Sequence, residues 1–175
     1  MSLYAATKKT DEIISSAYSQ LYSFPIVGLR FFNVYGPWGR PDMALYKFTE
    51  NILLKKKIDV FNYGNHNRDF TFIDDIISGI TCVIDLVKKK RRKKYFSIYN
   101  LAAGKPISLR KFIKILEKQL GIAAKKRFLP MQTGDVENTF GSIKKLKKIG
   151  YQPKTNISDG IKKFVDWFKK YKNIR

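Results

Sequence analysis

Tyr4 and Lys8 stand four residues apart in the run Tyr4-Ala5-Ala6-Thr7-Lys8. On a helix that spacing places a phenol and an ammonium on one face. A positive charge beside a phenol favours the phenolate and makes the tyrosine a better base near neutrality. Alone, the pattern is equally that of an ordinary surface pair. Arg40 is a second candidate, set in the glycine- and proline-rich loop Gly36-Pro37-Trp38-Gly39-Arg40-Pro41. A guanidinium there can offer a two-pronged fork to a carboxylate. The loop follows an apolar segment, and open α/β sheets place ligands at the C-terminal ends of their strands. The plainer reading of Arg40 is a solvated loop arginine. His66 lies in turn-forming sequence without a Cys, His or acidic residue at ligand spacing, so no metal is expected. Cys82, among Ile80, Val83 and Ile84, is expected to pack in the core.

The elements that must hold these residues follow from periodicity. Residues 1–22 predict a helix whose apolar side carries Leu3, Ile13, Ile14, Ala17 and Leu21. Residues 25–32 are apolar almost throughout, which predicts a short, largely buried parallel strand. A helix is expected over 43–55 and a strand over 58–61, followed by turn chemistry at 63–67. Asp74 and Asp75 open a helix to about residue 88, at the end of the dipole that favours acids. Residues 95–101 read as a strand. Ser108 is a candidate N-cap for a helix burying Leu109, Phe112, Ile113, Leu116 and Leu120, and Gly121 stops it. A last helix from about Ser158 buries Ile161, Phe164, Val165 and Phe168. Strands alternate with helices, so the class is α/β. The alternation begins mid-stream, with a helix and no strand before it.

The chain has 175 residues, 44% of them hydrophobic and 14% aromatic, which is a globular composition. No apolar run is long enough to span a membrane, and the first residues do not resemble an export signal. One cysteine excludes an intramolecular disulfide framework, and the expected location is cytoplasmic. The net charge of +21 invites a nucleic-acid reading centred on Lys88–Lys94. Most of the excess is lysine, scattered as doublets such as Lys144-Lys145 and Lys162-Lys163 between core positions. No nucleic-acid-binding motif accompanies it, so the charge reads as solvated surface and no nucleic-acid partner is expected.

Four segments fall in order along the chain: Tyr4-Ala5-Ala6-Thr7-Lys8, then Leu29 to Pro37, then Arg68 to Asp75, then Gly134 to Thr139. Together they resemble the second half of extended short-chain dehydrogenases/reductases that act on sugar nucleotides. With Ser2-Leu3 and the loop from Gly36 to Ala44, the pattern is most similar to UDP-glucuronate 4-epimerases. The resemblance implies the C-terminal part of a Rossmann-like, NAD(P)-binding fold. Residues 1–35 would close that domain, and 36–175 would form mainly a sugar-nucleotide-binding lobe, with some segments returning to the Rossmann sheet. It implies that Tyr4 is the general base on the sugar hydroxyl and that Lys8 tunes it and holds the nicotinamide ribose. Both would thus be catalytic and cofactor-binding. Asn33 and Arg40 would contact the sugar, Val60 and Phe61 would line the uridine pocket, and Arg68 would meet a phosphate. Gln132 and Asp135 would lie beside the nucleotide. The plainer alternatives are a structural Arg68–Asp69 ion pair and a turn or cap role for Asp135.

By the same resemblance the reaction is NAD-dependent 4-epimerisation of UDP-glucuronate to UDP-galacturonate, in which a hydride leaves C4 and returns to the opposite face. The glycine-rich dinucleotide motif is not among these residues, and the family's serine or threonine partner of the tyrosine precedes the catalytic helix. Activity from this chain alone is therefore not expected. The expected partners are a UDP-sugar, a complementing N-terminal Rossmann chain and a second copy packed through the Tyr4 helix. Three readings remain: a portion of an epimerase, one subunit of a split enzyme, or a non-enzymatic sugar-nucleotide-binding module. A dehydratase parent is the rival within the family.

Overall fold

The computed structural model describes residues 3–89 and 96–174. Helix α1 (Leu3–Leu21) leads into strand β1 (Ile26–Phe31) and the two-residue strand β2 (Val34–Tyr35). After the glycine/proline loop come α2 (Ala44–Leu53), β3 (Lys57–Val60), a single 3-10 turn (Phe61–Gly64), β4 (Asn67–Arg68) and β5 (Thr71–Phe72). Then follow α3 (Ile73–Lys89), β6 (Phe96–Leu101), β7 (Ile107–Ser108), α4 (Leu109–Leu120) and β8 (Lys125–Phe128), with α5 (Lys144–Lys147) and α6 (Ile157–Tyr171) last. The class is α/β.

Parallel pairing dominates. β1 runs beside β6 in register from Ile26 opposite Phe96 to Phe31 opposite Leu101. β2 pairs with β5 and β3 with β8, both parallel, while β4 and β7 pair antiparallel. Two apolar clusters hold these pairs. The larger gathers Ile52, Ile58, Val60, Phe112, Leu116, Phe164 and Phe168 from α2, β3, α4 and α6. The second sets Ile76 and Val83 of α3 against Tyr99 and Leu101 of β6, closed by Leu146 and Tyr151. Gly79 of α3 faces Leu101 and the Tyr151 ring so closely that a Cβ would collide with Leu101. Glycine is what lets the helix lie on that strand.

The helix ends follow their sequence signals. The Ser108 hydroxyl accepts from the Lys111 amide at 3.3 Å, and Gly121 ends α4 in the left-handed conformation with φ 70°. α6 is capped by Asn156, whose side chain accepts from the Asp159 amide at 2.9 Å. Both acids expected at the head of α3 are there, and Asp75 is more than a dipole partner. It is buried and accepts from the Lys154 and Thr155 amides at 2.9 and 3.1 Å, pinning the approach to α6.

The burial expected of the first strand is not found. β1 is not buried on both faces: its residues are half-buried, and Arg30 and Phe31 are exposed. In α1 only Ser19 is buried, while Ile13, Ile14 and Leu21 face outward. A parallel strand is fully buried only with layers over both faces and strands on both edges, and among the described residues β1 has β6 on one edge alone. β8, an exposed edge strand of Lys125, Lys126, Arg127 and Phe128, was not anticipated. Of the basic run, residues 90–94 lie outside the described residues, as does Tyr95 of the expected 95–101 strand. No helix among the described residues is long and apolar enough to cross a membrane.

Phe112 is fully buried and stacks on Phe70 with ring centroids 4.2 Å apart. We expect Phe112→Ala to lower the unfolding free energy by about 3–5 kcal/mol, read as a reduced urea midpoint with little change in slope.

Candidate functional site

The glycine/proline loop begins where β2 ends. Gly36 at φ 144° lies against Ile73, a conformation and an approach that admit no side chain. Asn33, at φ 23°, turns the chain between β1 and β2, and its carbonyl accepts from the Thr71 amide at 3.2 Å. These turns shape a cleft of two adjoining lobes, of about 480 and 650 Å³, that share Asn33 and Met43. Tyr4, Trp38 and Arg40 line the first lobe, of about 480 Å³. Phe61, His66, Arg68, Gln132 and Asp135 line the second, of about 650 Å³, together with Lys47 of α2.

Seven residues singled out from sequence therefore line these two adjoining lobes: Tyr4, Asn33, Arg40, Phe61, Arg68, Gln132 and Asp135. Lys8 sits one turn along α1 from Tyr4, in a groove running between α1 and β1. Val60 lies elsewhere. Its side chain is fully buried in the larger core, and its carbonyl accepts from the Leu129 amide at 3.0 Å. The main chain of Val60 thus fixes the segment that leads to Gln132.

Both arginines are already engaged. Arg40 donates through Nε and Nη2 to both oxygens of Asp42, at 3.1 and 2.9 Å. The pair is well exposed, so water screens it and a ligand carboxylate can replace Asp42 at small cost. Arg68 is mostly buried and more firmly held. Its Nη1 donates to the Glu137 carbonyl at 2.9 Å and its Nη2 to Asp135 Oδ1 at 2.8 Å. Asp135 is fixed in turn by the Val136 amide at 2.8 Å. The structural Arg68–Asp69 pair considered from sequence does not form: Arg68 turns to Asp135 and Asp69 turns inward.

Asp69 is fully buried and collects main-chain donors from two distant loops. The Ala103 and Gly104 amides donate at 3.0 and 3.1 Å, and the Gly141 amide at 3.1 Å. Burial raises its pKa above the ordinary carboxylate value, and the amide donors oppose that rise. Next to it, Asn67 donates to Asn138 Oδ1 at 2.7 Å, and Asn67 exchanges main-chain bonds with Glu137 and Thr139 at 3.0 Å each. The loop from Gln132 to Thr139 is thereby held against β4, which brings Asp135 to Arg68.

His66 gains a neighbour through the fold. Sequence spacing offered it no acidic partner, yet its Nε2 lies 3.5 Å from Asp135 Oδ2, and the ring is only 4% exposed. No signal local to His66 could have shown this, because the two residues are brought together by the folded loop. Among the described residues no group of three or more His, Cys, Asp or Glu could hold a metal.

Tyr4 is 72% exposed, and the Lys8 ammonium stands 5.8 Å from the centre of its ring. Lys8 is also paired with Asp11 at 3.0 Å, and the hydrogen bond to that carboxylate raises its pKa. What anchors this helix is Glu12, whose two oxygens accept from Arg30 of β1 at 2.6 and 2.8 Å. The aspect of α1 that carries the phenol and the ammonium is thus open, as a face is that can receive a cofactor or another layer of protein.

Residues 1–102 match the NAD dependent epimerase/dehydratase family, and the chain belongs to that family. It is 48% identical over 169 residues to an uncharacterised protein of Methanocaldococcus jannaschii, covering 96% of this chain and 50% of that protein. To UDP-glucuronate 4-epimerase 4 of Arabidopsis thaliana it is 43% identical over 182 residues, covering 97% of this chain and 42% of the relative. The structure of UDP-glucuronic acid 4-epimerase from Bacillus cereus, in complex with UDP-glucuronic acid and NAD, superposes with a TM-score of 0.88 at 32% identity, over 96% of this chain and 52% of that one. The chain spans about half the length of the curated relatives it matches, and the fold is correspondingly part of a Rossmann-like one.

The Arg30 guanidinium beside Glu12 holds the Glu12 pKa down at about 2, with Lys9 adding to the effect. A depressed carboxylate contributes stability that is present above its unfolded value and is lost as pH falls through the folded one. Between the ordinary carboxylate range and about pH 2, amide exchange in β1 and α1 should therefore accelerate before that of α4 and α6. Glu12→Gln should show the fast exchange already at neutral pH.

Proposed function

We propose that this chain supplies the substrate-side lobe and the catalytic helix of a UDP-glucuronate 4-epimerase. The observation that carries the reading is the two-lobed cleft joined at Asn33 and Met43, with Tyr4 and Arg40 on one side and Arg68 with Asp135 on the other. One lobe offers a phenol and an arginine fork, suited to a uronate ring. The other offers an aromatic side chain, an amide, a carboxylate and a half-neutralised arginine, suited to a nucleoside diphosphate. The relatives named above support the same substrate class.

In this reading the uridine end rests by Phe61, with Gln132 and Asp135 able to hydrogen-bond its polar edges, and Arg68 meets the diphosphate. The sugar carboxylate takes the Arg40 fork in place of Asp42, and Asn33 offers its amide to the ring hydroxyls. Tyr4 exchanges the proton of the C4 hydroxyl, and Lys8, on the same helix face, steadies the phenolate. Tyr4 and Lys8 fit the nicotinamide ribose end of NAD, since both stand on an open face with donor groups outward. When bound, NAD would supply the acceptance and return of hydride at C4. The apolar residues of α1 and the unpaired edge of β1 suit a further α/β layer, in the same polypeptide or in a complementing chain, and the outer face of α1 suits a second copy.

The test mixes this chain with the N-terminal half of a relative and NAD, and follows UDP-glucuronate by sugar NMR. UDP-galacturonate is the expected product, and Tyr4→Phe should slow its formation by about 10²–10⁴-fold. A 4-keto product would assign the chain to a dehydratase, and preference for UDP-glucose would sink the uronate assignment.

A further inference from the structure

Among the buried side-chain nitrogens and oxygens of the described residues, His66 Nε2 has no hydrogen-bond partner. A buried polar atom left unpaired is costly, and such atoms have a reason where they persist. His66 lines the nucleotide-side lobe, and its Nε2 stands 3.5 Å from Asp135 Oδ2, the oxygen that Arg68 leaves free. The guanidinium and the imidazole thus flank one carboxylate: Arg68 on Oδ1, the imidazole by Oδ2. With His66 neutral, Arg68 and Asp135 cancel. With His66 protonated, the same three groups carry a net positive charge towards the lobe.

We propose that His66 is a positioning residue of the nucleotide pocket: when protonated it takes the free oxygen of Asp135 as an ion pair, so that the positive charge of Arg68 is left for an anionic ligand. The inference rests on the reading that this lobe receives a nucleoside diphosphate. Other charged groups around the imidazole do not supply the same switch. Arg110 of α4 is bound to the Tyr63 carbonyl at 2.6 Å, and Asp59 across the lobe is bound to Arg127 at 2.6 and 2.8 Å. Lys47 and Asp42 also line the lobe. Glu137 meets this region through its carbonyl, which Arg68 and the Asn67 amide occupy. The chain contains one histidine, so His66 is its only imidazole.

By linkage, a group whose protonated form favours the ligand must take up a proton when the ligand binds. UDP-glucose is the proper probe, because its diphosphate is doubly substituted and keeps its charge through the range where imidazole titrates. Calorimetry on the full chain should show affinity for UDP-glucose rising about threefold or more from about pH 8 to about pH 6, with net proton uptake seen in buffers of different ionisation enthalpy. His66→Gln should bind with the affinity seen at the higher pH and lose both the pH dependence and the proton uptake. Wild-type affinity that is flat with pH, or tightens as pH rises, would overturn the proposal, as would a His66→Gln variant with undiminished proton uptake. The proton uptake of the unaltered chain decides the matter even if the variant folds poorly. A chain that binds neither UDP-glucose nor UDP at either pH overturns the pocket reading itself, and this inference with it.

Discussion

Everything in the cleft depends on the buried carboxylate of Asp69. A fully buried acid is unfavourable unless donors surround it, and here the donors are main-chain amides of two loops far apart in sequence, at Ala103-Gly104 and at Gly141. Satisfying one side chain therefore fixes three segments at once. Asn67 and Arg68 lie immediately before it, the 132–139 loop runs into Gly141, and Thr139 accepts from the Asp69 amide at 3.2 Å while reaching Asn33 Oδ1 at 3.5 Å. Arg68, which lines the second lobe, sits one position before that anchor. This is a common division of labour: a buried, satisfied polar centre provides rigidity, and exposed neighbours on its loops provide contact.

The second dependence is electrostatic. The chain carries a large positive excess, yet the arginines of the cleft are not free charges. Arg40 is closed on Asp42, and Arg68 on Asp135 and a carbonyl. An anion entering the first lobe competes with an exposed carboxylate, which is an easy exchange. In the second lobe it meets an arginine that is mostly buried and already oriented, so affinity there is governed by the net charge of its surroundings. Orientation that is settled before the ligand arrives lowers the ordering cost of binding.

Much of this was legible in the sequence, and what was not has physical causes. The helices over 44–53, 73–89, 109–120 and 157–171 follow from their apolar spacing and caps, because both signals are local. The ordered motifs around Tyr4, Asn33, Arg68 and Asp135 identified the family, which residues 1–102 confirm. The burial of β1 was misjudged because apolar content reports what a strand can bury, not what covers it. β8 was missed because Lys125-Lys126-Arg127 has no apolar alternation; its place comes from pairing with β3. Val60 was expected in a pocket wall and lies in the core, since alternation along β3 turns it inward with Ile58. The His66–Asp135 approach joins residues far apart in the chain, and only the folded loop brings them together.

The central claim is that the lobe formed by Phe61, Arg68, Gln132 and Asp135 receives the nucleotide of a UDP-sugar. Amide chemical-shift mapping of the isotope-labelled chain during titration with UDP tests it most directly. Saturable shifts confined to the 61–68 and 132–138 segments and the Asn33 turn are the predicted result. Saturable shifts centred on α6 and β8, or none at millimolar UDP, would contradict the account.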